Sequence, residues 1–176
     1  ELPVPIQRLV TAKDGVWLWG LGQLFRWDGS VVSRIELEQH PYIYDFVASE
    51  HRLYLSLPWL AVVDLTAEPL TTMHMDERTP TSMAVDEGSS FWFVVDGELV
   101  VQRLDEPERL IDMPEPILSV TGPTIWVEGE GSVYRYYGSS FSRHTVSGER
   151  VVVVDDYGRF LQIEDGQLIR RSIDRP

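Results

Sequence analysis

The sequence predicts an all-β fold built from one repeated four-stranded unit. Three observations carry this. Gly and Pro interrupt the chain so often that the longest stretch free of both is Tyr42 to Leu57. The segments between them are crowded with Val, Ile, Tyr, Phe and Trp, side chains that suit a pleated, packed surface. Asp-Gly pairs stand at 14–15, 28–29, 96–97 and 165–166, between apolar runs. That dipeptide is a strong hairpin signal, because a type I′ turn needs positive φ.

Taken in order, the first unit divides into four extended pieces: Ile6 to Thr11, Val16 to Trp19, Gln23 to Trp27 and Ser30 to Leu37. In the second, apolar residues recur at spacing two in 42–47 and again in 53–57, with the polar Ser49-Glu50-His51-Arg52 between them. Two short strands joined by a turn fit this pattern better than a helix does. The third unit centres on Phe91-Trp92-Phe93-Val94-Val95, the fourth on Ile125-Trp126-Val127, and the fifth on 151–155, 159–163 and 167–173.

The units are copies of one another. Residues 16–29 and 125–138 align without a gap, matching Trp17 with Trp126, Gly20 with Gly129, Gly22 with Gly131, Arg26 with Arg135 and Gly29 with Gly138. Weaker copies begin at Phe91 and Phe160, and a divergent one at Leu53. The anchors Trp17, Tyr54, Trp92, Trp126 and Leu161 are spaced by 37, 38, 34 and 35 residues. Four antiparallel strands in about 36 residues describe one blade of a β-propeller. A lone blade leaves both faces bare, so the recurring aromatic is expected to pack between neighbouring blades. The expectation is therefore one propeller domain over 1–176, with five blades near 1–37, 38–75, 76–113, 114–146 and 147–176. Few residues remain between Ile173 and Ile6 for a last outer strand, so the final blade is expected to be incomplete, or the chain to be a fragment of a larger propeller. Its open edge, near Leu168-Ile169-Arg170-Arg171-Ser172, is a place for self-association.

The blocks 16–29 and 125–141 resemble the two-component-regulator propeller repeat, in which a Gly-x-hydrophobic-Trp strand precedes a Gly-Gly-Leu-x-Arg-aromatic strand and an Asp-Gly turn. They are similar, less closely, to streptogramin-lyase-type propellers. The resemblance covers four of the five units and departs from the pattern at Pro58-Trp59 and at Leu161-Gln162. It implies an extracytoplasmic sensor or ligand-binding module. Such repeats specify fold more than activity.

Composition narrows the function. With 15 basic and 28 acidic residues the net charge is −13, which repels phosphate backbones and argues against nucleic acid as a partner. No stretch approaches the roughly 18 apolar residues of a membrane-spanning helix, so no direct membrane insertion is expected. The absence of cysteine removes disulfide, thiolate and zinc–thiolate chemistry. The sequence opens on Glu1 and not Met, an end that a cleaved secretory signal leaves. An extracytoplasmic location is expected on that ground, with a cytoplasmic one as the alternative.

Site candidates follow from the blade geometry. Arg8 and Asp45 fall one repeat apart on innermost strands and should lie side by side, as a charged channel site or a structural ion pair. Turns after the innermost strands carry Asp14, Asp86 and Asp155 at one mouth of the channel. Converging carboxylates suit Ca²⁺, although solvated turns explain them equally well; no other cofactor is expected. The opposite mouth collects His40, Tyr42, Trp59 and Arg78, and Trp59 fills a turn position held by Gly in three other units. An aromatic on a loop with charged neighbours suits an anchor for a ligand or partner. The four histidines form no metal-binding motif.

A non-catalytic binding module, for ligand sensing or protein interaction, therefore leads. The alternative is a five-bladed carbohydrate-active enzyme or a lyase. It would use Asp45 as an acid, but the aligned positions in other units are the apolar Met83, Ile117 and Val152.

Overall fold

The computed structural model describes residues 4–12, 15–37, 43–49, 51–67, 70, 72–103, 106–145, 150–154, 159–164 and 167–172. Every described element is a strand, and the chain divides into two compact units, 1–80 and 81–176.

The first unit holds two four-stranded antiparallel sheets in simple up-and-down order. One comprises β1 (Arg8–Ala12), β2 (Gly15–Gly20), β3 (Gln23–Trp27) and β4 (Val32–Ile35). The other comprises β5 (Asp45–Ala48), β6 (Arg52–Ser56), β7 (Leu60–Asp64) and β8 (Thr72–Asp76). The polar stretch after Ala48 closes the β5–β6 hairpin, where the Ser49 N–H donates to the Arg52 carbonyl at 2.8 Å. β1 and β5 lie side by side, and Trp17 from the first sheet joins Phe46, Leu53 and Leu55 from the second in one core.

The second unit repeats the plan. β9 (Ser82–Val85), β10 (Phe91–Val95), β11 (Glu98–Gln102) and β12 (Arg109–Ile111) form one sheet. β13 (Ile117–Thr121), β14 (Trp126–Gly129), β15 (Ser132–Tyr136) and β16 (Phe141–Thr145) form the next. β17 (Arg150–Val154), β18 (Arg159–Glu164) and β19 (Gln167–Ser172) make a sheet of three strands among the described residues. β10 is buried at all five positions. That is why it reads as an unbroken apolar run and not as an alternation: the sheet is covered on both faces.

The first strands of the two four-stranded sheets of this unit are held together by side chain and backbone. The Ser82 hydroxyl donates to the Val120 carbonyl at 3.1 Å and accepts from the Val120 N–H at 3.0 Å, joining β9 to β13. A Cβ at Gly122 would lie 2.6 Å from the Val85 carbonyl oxygen, so only glycine lets the β13–β14 turn approach β9 this closely.

The anchors are core residues. Trp17, Tyr54, Trp92 and Trp126 are all buried, and Trp92 packs on Tyr136 and Phe141 of the following sheet, with centroids 4.8 and 6.2 Å away. The side chain of Leu161 lies outside the described residues.

The Asp-Gly expectation is met unevenly. Asp96 and Gly97 both have positive φ (53° and 80°), as a type I′ hairpin requires. At 28–29 only Gly29 does. There the Asp28 carboxylate accepts the Ser30 and Val31 N–H groups at 2.8 and 2.9 Å, an Asx-type turn that lowers the Asp28 pKa to about 2. A further left-handed pair falls at Leu21-Gly22 (49° and 73°), where no Asp or Asn announces it. The pairs at 14–15 and 165–166 include residues outside the described set.

Candidate functional site

In an antiparallel four-stranded sheet, the start of the first strand, the turn between the second and third, and the exit of the fourth all lie at one end. Arg8 opens β1, Asp45 opens β5, Trp59 sits in the β6–β7 turn, and Arg78 follows β8. All four thus share one end of the first unit. His40 and Tyr42, assigned to the same end by the sequence, lie outside the described residues.

Arg8 and Asp45 are in contact, with Nη2 2.7 Å from Oδ1. Asp45 Oδ1 also accepts its neighbour's N–H, from Phe46, at 2.8 Å. Burial nevertheless dominates and holds the Asp45 carboxyl above its ordinary pKa, against the pull of the guanidinium. The pair is a strut between two sheets whose anion is partly desolvated.

Trp59 is half-buried. It packs against the core of its unit and stacks on His74 of β8, with ring centroids 6.3 Å apart and planes at 23°. Neither Pro58 nor Trp59 has positive φ. The turn is closed by the Leu57 N–H donating to the Trp59 carbonyl at 2.8 Å, so glycine is not needed here and the indole costs nothing in backbone strain. His74 was not singled out in the sequence. It reaches Trp59 through pairing opposite Ala61, beside a register shift between Leu60 and Ala61. Arg78 is engaged by Asp76, with Nη2 to Oδ2 at 2.6 Å and Nε to Oδ1 at 3.1 Å, and these bonds lower the Asp76 pKa.

The acidic turns behave differently. Asp14 and Asp155 lie outside the described residues. Asp86 accepts the Ser90 N–H at 2.8 Å through one oxygen and the Trp92 indole N–H at 3.0 Å through the other. It serves its own turn and the buried tryptophan. Among the described residues no group of three or more His, Asp and Glu is placed to hold a metal ion.

In the second unit, the corresponding end is shaped by the β10–β11 turn and the β12–β13 loop. The Ile117 N–H donates to the Gly97 carbonyl at 2.8 Å, and Glu115 in the loop reaches the β14–β15 hairpin. Glu115 accepts from the Tyr134 hydroxyl and, at 2.8 Å, from the Gly131 N–H; the Tyr134 bond is the main reason its pKa is lowered. Between turn and loop lies an open groove of ≈ 420 Å³. Nothing in the sequence flagged it, because its lining comes from a turn, a loop and the ends of two strands and not from a motif.

Sheets of four up-and-down strands, with the first strands of two sheets side by side in each unit, are the architecture of the β-propeller class. Solved structures agree. The chain is similar to a streptogramin B lyase (TM-score 0.64, 12% identity), covering 99% of this chain and 72% of that one. It is similar to PorZ, a surface component of the type-IX secretion system of Porphyromonas gingivalis (TM-score 0.60, 16% identity; 96% of this chain, 27% of that one). It is also similar to the extracellular domain of the hybrid two component system BT4673 from B. thetaiotaomicron (TM-score 0.59, 17% identity; 94% of this chain, 27% of that one). No family model matches the sequence, and no curated protein matches it. The likeness is one of fold, and the chain spans about a quarter of the latter two proteins.

Proposed function

We propose that the chain is a non-catalytic propeller binding module, one domain of an extracytoplasmic protein, that takes a ligand or partner at the end of the first unit marked by Arg8, Asp45, Trp59 and Arg78. The observation that carries this reading is the half-buried Trp59, stacked on an exposed His74 and placed at the same end as two ion pairs. A rigid aromatic beside fixed charges is the composition of a recognition surface. The extracellular and surface settings of two of the similar structures support the location. In this reading the sheets are blades of one ring, either closed at five or continued by further blades, and the open edge of β19 pairs with a second copy of the chain.

The test uses arrays of defined oligosaccharides and peptides, probed with the wild-type chain and with Trp59→Ala/Arg78→Ala. Wild-type signals that the double variant loses, while it stays folded by circular dichroism at the assay temperature, support the reading. Identical binding by both proteins, or no signal from either, overturns it. Sedimentation at rising concentration tests the edge: a monomer throughout removes self-association.

A further inference from the structure

We propose that the groove between the β10–β11 turn and the β12–β13 loop is a second binding site, and that it takes an extended peptide segment carrying both lysine or arginine and apolar side chains.

Among the described residues four carboxylates line the groove, those of Asp96, Glu98, Asp112 and Glu115, and no Lys, Arg or His does. Glu115 is used by the fold, as described. The carboxylates of Asp96, Glu98 and Asp112 have no hydrogen-bond or ion-pair partner among the described residues and are exposed. Among them Leu110, Met113 and Pro116 add apolar surface to the lining, and Leu110 is 57% exposed. Three carboxylates without partners among the described residues, set beside exposed apolar side chains, match one chemistry, a cationic segment whose stems or neighbours are apolar. The aliphatic stems of Lys and Arg cover such apolar surface while their heads meet the carboxylates.

The walls are already in place. The turn is fixed by its left-handed Asp96-Gly97 pair and by the bond from Ile117, and the loop by Glu115. A groove held this way orders little of itself on binding, so less of the contact energy is lost. It lies in the second unit, and the proposal stands without the reading given for Trp59.

The probe is a fluorescein-labelled octapeptide of alternating leucine and lysine, titrated into the whole chain by fluorescence anisotropy. An octapeptide with glutamate in place of lysine and an all-lysine octapeptide serve as comparisons. The proposal expects the leucine–lysine peptide to bind best, and its affinity to fall as salt rises through about 0.1 M, where rim charges become screened. Asp96→Asn/Glu98→Gln/Asp112→Asn should weaken it at least about tenfold, since each substitution keeps shape and removes one charge. Asn also suits the left-handed turn position. Met113→Lys should weaken it similarly by placing a cation in the lining. Glu36→Gln/Glu87→Gln/Glu106→Gln should leave it unchanged. The proposal is overturned if the groove variants bind like wild type, if the all-lysine peptide binds as well as the alternating one, or if the distant variant loses as much.

Discussion

The sheets β9–β12 and β13–β16 are copies of one repeat, yet they treat the same tryptophan in opposite ways. In the first, Trp92 is buried among apolar neighbours and its N–H is received by Asp86. In the second, Trp126 is equally buried, but its indole nitrogen has no acceptor among the described residues. The β13–β14 turn is Gly122-Pro123-Thr124-Ile125 and holds no carboxylate, and the close approach of β9 leaves no room for a side chain at Gly122. The Trp126 ring has instead the Arg135 guanidinium over it at 5.2 Å, and His144 at 6.1 Å. Arg135 also lies over Tyr137 at 5.0 Å. One sheet completes its polar groups locally, while the other fills the space with cation–π contacts and leaves three buried nitrogens, on Trp126, Arg135 and His144, without partners among the described residues. A repeat position therefore specifies burial, and the turn beside it decides whether that burial is satisfied.

The largest expected effect lies on the satisfied side. Trp92→Ala removes a fully buried ring that contacts Tyr136 and Phe141. It should cost about 3–5 kcal/mol in urea unfolding; a cost below about 1 kcal/mol would contradict the core role. Asp86→Ala comes next. It strips acceptors from the Trp92 indole and the Ser90 N–H together and should cost about 1.5–3 kcal/mol. Trp92→Phe/Asp86→Ala should cost less than the two single changes combined, because both act on one bond. Strict additivity in the cycle would mean that the indole bond carries no weight.

These differences explain what the sequence could and could not tell. Burial of Trp17, Trp92 and Trp126 was legible, because a large aromatic recurring at a fixed period has only the space between sheets to enter. The Arg8–Asp45 contact was legible for the same reason: residues one repeat apart on innermost strands become neighbours. The role of Asp86 was not. An acid in a turn looks solvated until the turn geometry aims it at an indole six residues on. The Trp59–His74 stack depends on a register shift that no pattern announces. The clamp of Glu115 on Tyr134 spans 19 residues between a loop and a hairpin. Periodicity reports where strands face, whereas these contacts are made by loops whose paths depend on packing.

The third prediction concerns pH and the under-satisfied sheet. Burial holds the His144 imidazole below its ordinary pKa of 6.5, and the charge of Arg135 adds to the effect. A depressed folded value means that the unfolded chain takes up the proton more readily. The contribution of His144 is therefore complete above about pH 6.5 and declines as pH falls through the window below it. His144→Gln should remove that part of the slope. The measurement is the difference in unfolding free energy between wild type and variant from pH 8 to pH 5, which should narrow on acidification. A difference that stays constant across the range would show that His144 titrates as it does in water.

The smallest effect is the most diagnostic. Trp126→Phe keeps an aromatic surface for Arg135 and His144 and removes a buried indole nitrogen that has no acceptor among the described residues. Two terms oppose each other. The smaller ring leaves unfilled volume and weakens the cation–π contact, and both destabilise. Deleting a buried donor without a partner relieves a desolvation penalty of about 1–3 kcal/mol. The sum should lie within about 1 kcal/mol of wild type. Trp92→Phe makes the same change in shape but discards a formed bond and strips Asp86 of its indole donor, so it should cost clearly more, about 2 kcal/mol or above. The comparison between the two substitutions matters more than either value, because ring size cancels and the fate of the N–H remains. Equal costs at the two sites would mean that the Trp126 indole has an acceptor after all, and that the two sheets solve the same problem alike.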